Sequence, residues 1–167
     1  MTMTQGIPII RAYKENDKTG LIECLEGLCD YLVNIDPLKK IRRLPAFGPT
    51  YAQSLLKKVA RNNGALYVAD DNGKIVGIIA GIVQNVSKLD QLSFASTKYG
   101  RVLELFVHPD YRGNHLGKLL VEKIEDHFKQ LHCDHMRIEV FEPNKNARHF
   151  YYALGYTDRV IDLIKQL

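Results

Sequence analysis

Within the stretch Glu104-Leu-Phe-Val-His-Pro-Asp-Tyr-Arg-Gly-Asn-His-Leu-Gly117, the chain sets a carboxylate into an apolar run, stops at Pro109, and passes Arg112 and two glycines before a helical pattern begins. A strand that turns through glycines straight into a helix can bind anions. The N–H groups of the turn and of the first helical residues have no partner inside the helix, and the helix dipole makes that end electropositive, so a pyrophosphate can be held there. Arg112 adds a fixed positive charge. Glycines of an ordinary tight turn produce the same pattern, so the stretch alone admits both readings.

Acid–base candidates lie close by. Strand alternation puts Glu104 on one face with Val102, Phe106 and His108, and puts Leu103, Leu105 and Val107 on the other. A carboxylate among apolar neighbours has its pKa raised by partial burial and can serve as a general base; pairing across strands with Arg101 or Arg137 would make it structural instead. Glu139 and His108 are reserves, and a water relay without a single essential base is a further route. His127, His132 and His135 near Cys133 have no spacing that matches a helical ligand pair or a CxxC pattern, so no metal is expected.

The elements that must position these groups follow from periodicity. Ile7 to Tyr13 reads as a first strand, and Leu21, Ile22, Leu25, Leu28, Leu32 and Val33 form one stripe of a helix from Lys18 to Val33. Asp36-Pro37 ends it. Pro37 to Pro49 reads as a loop carrying Lys39, Lys40, Arg42 and Arg43, either a solvated face or the mouth for a carboxylate-bearing substrate. A second helix is expected from Tyr51 to Asn62. Asn72-Gly73 marks a tight hairpin between strands 65–69 and 74–83, and 84–99 reads as a long loop before a strand from Arg101 to Val107. Leu116, Leu119, Leu120, Ile124, Phe128 and Leu131 predict the helix that the anion turn opens. A strand from Met136 to Phe141, a short helix from Asn144 to Leu154 ended by Gly155, and a last strand from Tyr156 to Ile164 complete the order β-α-α-β-β-β-α-β-α-β. The expectation is an α/β fold, a mixed sheet with helices on its faces.

Two segments resemble the GNAT superfamily of acyl-CoA-dependent N-acyltransferases. Arg112-Gly-Asn-His-Leu-Gly117 is similar to the family loop Arg/Gln-x-x-Gly-x-Gly/Ala, with His115 where the family usually has glycine. Asn144-Lys-Asn-Ala147-Arg-His-Phe150-Tyr151-Tyr-Ala-Leu-Gly155-Tyr156 is similar to the signature Asn-x-x-Ala-x-x-Phe-Tyr-x-x-x-Gly-Phe/Tyr. The resemblance runs in detail from Val102 to Tyr156, with a less specific match at Ile10-Arg11-Ala12. It implies a mostly antiparallel sheet in which the strand ending at Val107 splays from its parallel neighbour, with helices on both faces. It also implies acetyl-CoA as cosubstrate, held by Phe106, Val107, Arg112, Gly113, Asn114, His115, Leu116, Gly117 and Asn144. A main-chain N–H near Val107 would polarise the thioester, and Tyr151, unless only a core aromatic, would protonate the departing thiolate.

The 167 residues, 46% hydrophobic and 25% charged, suit one domain spanning 1–167. No apolar run reaches the ~20 residues that span a bilayer and the start lacks a signal-peptide pattern, so a cytoplasmic protein without a membrane partner is expected. Cys24, Cys29 and Cys133 read as reduced thiols, and a formal charge of +4 without a basic tail gives no nucleic-acid signal. The expected partner is an amine acceptor, a homodimer is allowed, and the alternative to an N-acetyltransferase is a non-catalytic CoA-binding regulatory module.

Overall fold

The computed structural model describes residues 8–95 and 97–165. Strand β1 (Ile9–Ala12) is followed by a short 3-10 turn and by helix α1 (Lys18–Ile35). Ile7, counted in the expected first strand, lies outside the described residues. The α1 stripe buries Leu21, Cys24, Leu25 and Cys29, so two of the cysteines pack as small apolar residues; burial pushes the Cys24 thiol up to about 12. Asp36 ends the helix. Its buried carboxylate accepts the backbone N–H groups of Leu38, Lys40 and Ile41 at 2.9, 2.6 and 2.8 Å, which folds the proline-rich segment back on itself.

Helix α2 (Phe47–Arg61) begins four residues before Tyr51, where the sequence reading put it, and takes in Pro49. Proline breaks a helix interior, but in the first turn its missing N–H has no acceptor to lose. Strands β2 (Ala65–Asp71) and β3 (Lys74–Asn85) form the hairpin, with Asn72 and Gly73 at φ +53° and +92°, the paired positive angles of the tight turn. Strand β4 (Lys98–Val107) pairs with β3 as far back as Asn85, so the loop between them is shorter than 84–99. Helix α3 (Leu116–Gln130), strand β5 (Met136–Ile138) and helix α4 (Lys145–Ala153) follow.

The strands lie in the order β1-β2-β3-β4-β5, antiparallel except for the parallel pair β4-β5. This is the expected mixed sheet. β3 is its centre, buried from Ile75 to Val83, and it feeds two cores. One includes Val102, Leu116, Leu120, Ile124, Phe128 and Tyr151 on the α3–α4 side. The other includes Leu21, Leu25, Ala52, Leu55, Ile78 and Phe106 under α1 and α2.

Two expectations at the C-terminal side are corrected. β5 stops at Ile138 instead of Phe141, because β4 has left its side by then. Residues 156–165 form no strand: Val160, Ile161, Leu163 and Ile164 are 69–88% exposed. Adjacent apolar pairs put one side chain on each face, so a strand here would need cover on both faces, and the described chain supplies neither. Among the described residues no helix is long and apolar enough to cross a membrane.

Candidate active site

The site begins where β4 and β5 part. Their parallel ladder holds Gly100, Arg101 and Val102 opposite Met136, Arg137 and Ile138, and it stops there, so among the described residues Leu103 to Val107 has no strand on that edge. On the other edge Ala80 pairs with Glu104 and Gly81 with Val102, which leaves Leu103 as an extra residue, a β-bulge. The bulge overturns the simple alternation read from the sequence. Val102 packs with Leu105 and Val107 toward α3, while Leu103 joins Phe106 toward α1 and α2. One inserted residue reverses the faces on one side of it, because the side-chain period is two.

The same inversion sets the backbone. Gly100 donates its N–H to His135 on the β5 side at 3.0 Å, yet beyond the bulge His108 donates to Val76 of β3 at 2.8 Å. Val107, one residue earlier, therefore turns its N–H away from β3 into the gap. Its carbonyl accepts Arg112 Nε at 3.0 Å on that open side. The Arg112 guanidinium lies 5.5 Å from the Tyr31 ring and 5.9 Å from the Phe106 ring, bridging α1 and β4.

The turn into α3 is a cradle of donors. Gly113 has φ +81° and His115, the residue capping α3, has φ +60°. His115 occupies a left-handed position that explains why glycine suits it. The first bond of the helix runs from Leu119 N–H to the His115 carbonyl, and the N–H groups of Gly113, Asn114, His115, Leu116, Gly117 and Lys118 donate to nothing among the described residues. At Gly117 an added Cβ would stand 3.3 Å from the Phe150 ring, so the missing side chain lets α3 and α4 close up beside Val107. Asn144 caps α4: its Oδ1 accepts Ala147 N–H at 3.2 Å and the Tyr31 hydroxyl at 3.3 Å.

Glu104 faces α2, where the Tyr51 hydroxyl donates to its carboxylate. Burial raises the Glu104 pKa above the ordinary carboxylate range, and the Tyr51 hydrogen bond and the charge of Lys58 act against that rise. The cross-strand pairing considered for Glu104 does not occur. Arg101 bonds Glu139 at 2.5 Å, and Arg137 lies 4.1 Å over the Tyr99 ring and donates to His135 at 3.1 Å. Glu104 lines a cleft of 260 Å³ between β4 and α2, with Tyr51, Ser54, Lys58, Arg101 and Glu139 around it. Of the reserves, Glu139 is exposed at the mouth and paired with Arg101, whereas His108 lines a separate cavity of 570 Å³ with Tyr31 and Arg112.

Tyr151 is 6% exposed on α4 and packs edge-on against Phe150 and Tyr156, with ring centroids at 5.1 and 5.4 Å. Its hydroxyl has no hydrogen-bond partner among the described residues. Burial, then Tyr156 and then the Glu104 charge push its pKa above the ordinary phenol value, so the proton is held through the neutral range. The α4 C-terminus keeps this residue in place: Tyr156 N–H returns to the Tyr151 carbonyl at 3.1 Å through Gly155, whose φ is +88°.

Sequence reading missed Tyr31, Tyr51, Ser54 and Lys58, which reach the site from helices distant in the chain and carry no local motif. The basic loop is not part of the cleft. Arg43 is held by Asp30 at 2.6 Å and Glu26 at 3.7 Å. His127 bonds the Asn63 carbonyl at 2.9 Å, and among the described residues no three His, Cys, Asp or Glu side chains converge as a metal site.

Residues 32–156 match the acetyltransferase (GNAT) family. An uncharacterized N-acetyltransferase of Methanocaldococcus jannaschii is 29% identical over 128 residues, which cover 75% of this chain and 74% of that protein. A tetramutant protein of Bacillus halodurans has the same fold, with a TM-score of 0.83 at 20% identity over 95% of this chain and 99% of that one. An aminoglycoside N-acetyltransferase solved in complex with CoA gives a TM-score of 0.66 at 16% identity, over 95% of this chain and 100% of that one.

Proposed function

Because this chain belongs to the acetyltransferase (GNAT) family, we propose that it transfers the acetyl group of acetyl-CoA to a primary amine by direct attack in a ternary complex. The observation that carries the reading is the open edge of β4: among the described residues the Val107 N–H faces an unpaired gap beside six free N–H groups at the head of α3. That donor set fits a pyrophosphate, and a relative of the same fold has been solved with CoA.

The residues divide the chemistry as follows. Gly113 to Gly117 hold the pyrophosphate through their N–H groups, Arg112 supplies the positive charge, and Phe106 and Asn144 flank the cofactor arm. The Val107 N–H bonds the thioester oxygen and stabilises the negative charge that forms there as nitrogen attacks. Glu104, with its pKa raised toward the working pH, accepts the ammonium proton directly or through a water. Tyr151 returns a proton to the sulfur as the C–S bond breaks. A phenol that stays protonated near neutrality is equipped for that step. We read the whole chain as one such domain, acting in the cytoplasm.

Calorimetric titration with acetyl-CoA, followed by an amine panel with detection of free CoA thiol, tests the proposal. One-to-one binding with amine-dependent thiol release is expected. Binding without release for any amine would favour a non-catalytic CoA-binding module, and no binding would end the reading.

A further inference from the structure

The cleft beside Glu104 has a second pole. Tyr51, Ser54, Leu55 and Lys58 line it from α2 at three- and four-residue steps, so one face of the helix runs along its length. At one end Tyr51 is fastened to Glu104, and at the other Lys58 stands at the rim. Of the other charged groups lining the cleft, Arg101 and Glu139 satisfy each other at 2.5 Å. Lys58 has no ion pair or side-chain hydrogen bond among the described residues. The cleft therefore offers one carboxylate, Glu104, and one exposed ammonium, Lys58, whose charge reaches Glu104 without a direct ion pair among the described residues. The seven-residue step from Tyr51 to Lys58 is a rise of about 10 Å.

We propose that the acceptor is a small amine that also carries an anionic group, the amine seated at Glu104 and the anion paired with Lys58 beside the Ser54 hydroxyl. This rests on the acetyltransferase reading and names its substrate class. The spacing asks for an amine and an anion no more than about 10 Å apart. The volume of 260 Å³ falls below the ~300–1,000 Å³ of usual ligand pockets, which favours a small molecule. A diamine or polyamine would set its second ammonium against Lys58, so the cleft disfavours it by like-charge repulsion. The anion-recognising group is thus on α2, not in the basic loop, none of whose residues lines the cleft.

The test is kcat/KM with acetyl-CoA for three matched series: ω-amino carboxylates from glycine to 6-aminohexanoate, their carboxamides, and α,ω-diamines of equal length. The parent protein should prefer a carboxylate over its amide by about tenfold, mainly through KM, and diamines should be poorest. In Lys58→Glu the preference should invert in favour of diamines, and in Lys58→Met it should fall toward unity. Amides serve as the internal reference, since any change that Lys58 makes in Glu104 affects all three series alike. If amides or diamines are acetylated as well as carboxylates, or if the ratio is unmoved in both variants, the inference fails while the acetyltransferase reading stands. If no amine is acetylated, both fall.

Discussion

The Tyr51 hydroxyl of α2 donates a hydrogen bond to the Glu104 carboxylate of β4, joining a helix and a strand 53 positions apart in the chain. A bond to the charged form of a half-buried acid lowers its pKa, while the burial raises it, so the pair is a balance that sets where Glu104 titrates. Tyr51→Phe removes one side of the balance. The pKa of Glu104 should rise further, moving the acidic limb of the kcat/KM profile to higher pH. A pH–rate profile checks this, and an unmoved limb would mean that Glu104 is not the base.

Glu104→Gln should separate stability from activity. An acid whose pKa is raised in the folded state binds its proton more tightly there than when unfolded. Stability is then greatest below the unfolded value and declines as pH rises through the folded one. The amide cannot ionise, so the variant should gain Tm relative to the parent near neutral pH and lose that gain in acid. Turnover should fall by about 10²- to 10⁴-fold, the usual worth of a general base. Thermal unfolding at two pH values and one rate measurement suffice.

Tyr151→Phe should lower kcat by about 10²-fold or more with acetyl-CoA affinity retained. Because the hydroxyl bonds nothing among the described residues, its loss should change stability by less than about 1 kcal/mol. Parent-like turnover would return Tyr151 to the role of a core aromatic, which its 6% exposure also suits.

His115→Gly should be tolerated or stabilising by up to about 1 kcal/mol, since a left-handed φ of +60° costs a side-chain residue and not glycine. Gly117→Val should do the reverse. Its Cβ would stand 3.3 Å from the Phe150 ring, and the branches would push α3 from α4 and weaken acetyl-CoA binding. Calorimetry on both variants distinguishes a backbone cradle, which keeps its affinity in His115→Gly, from a site that needs the imidazole.

Local chemistry was enough to read much of this protein from its residues. Glycines between an apolar run and a helical stripe marked the turn into α3, and Asn72-Gly73 marked the hairpin, because turn geometry depends on adjacent residues. Apolar periodicity likewise located α1 and α3 within a few residues. The start of α2 is hidden because Pro49 extends a proline-rich segment that reads as a loop, although a first-turn position permits a proline.

What only the tertiary structure decided is how distant elements meet. The bulge at Leu103 leaves no mark in composition, yet it turns Val107 N–H into the gap and sets which side chains share a face with Glu104. The partners of Glu104 were equally hidden: cross-strand arginines were the near candidates, but the tyrosine of a helix 53 residues away reaches it. Sequence spacing determines which groups can act along one strand or helix, while packing between elements determines which of them come into contact, and the cleft between Glu104 and Lys58 belongs to the second kind.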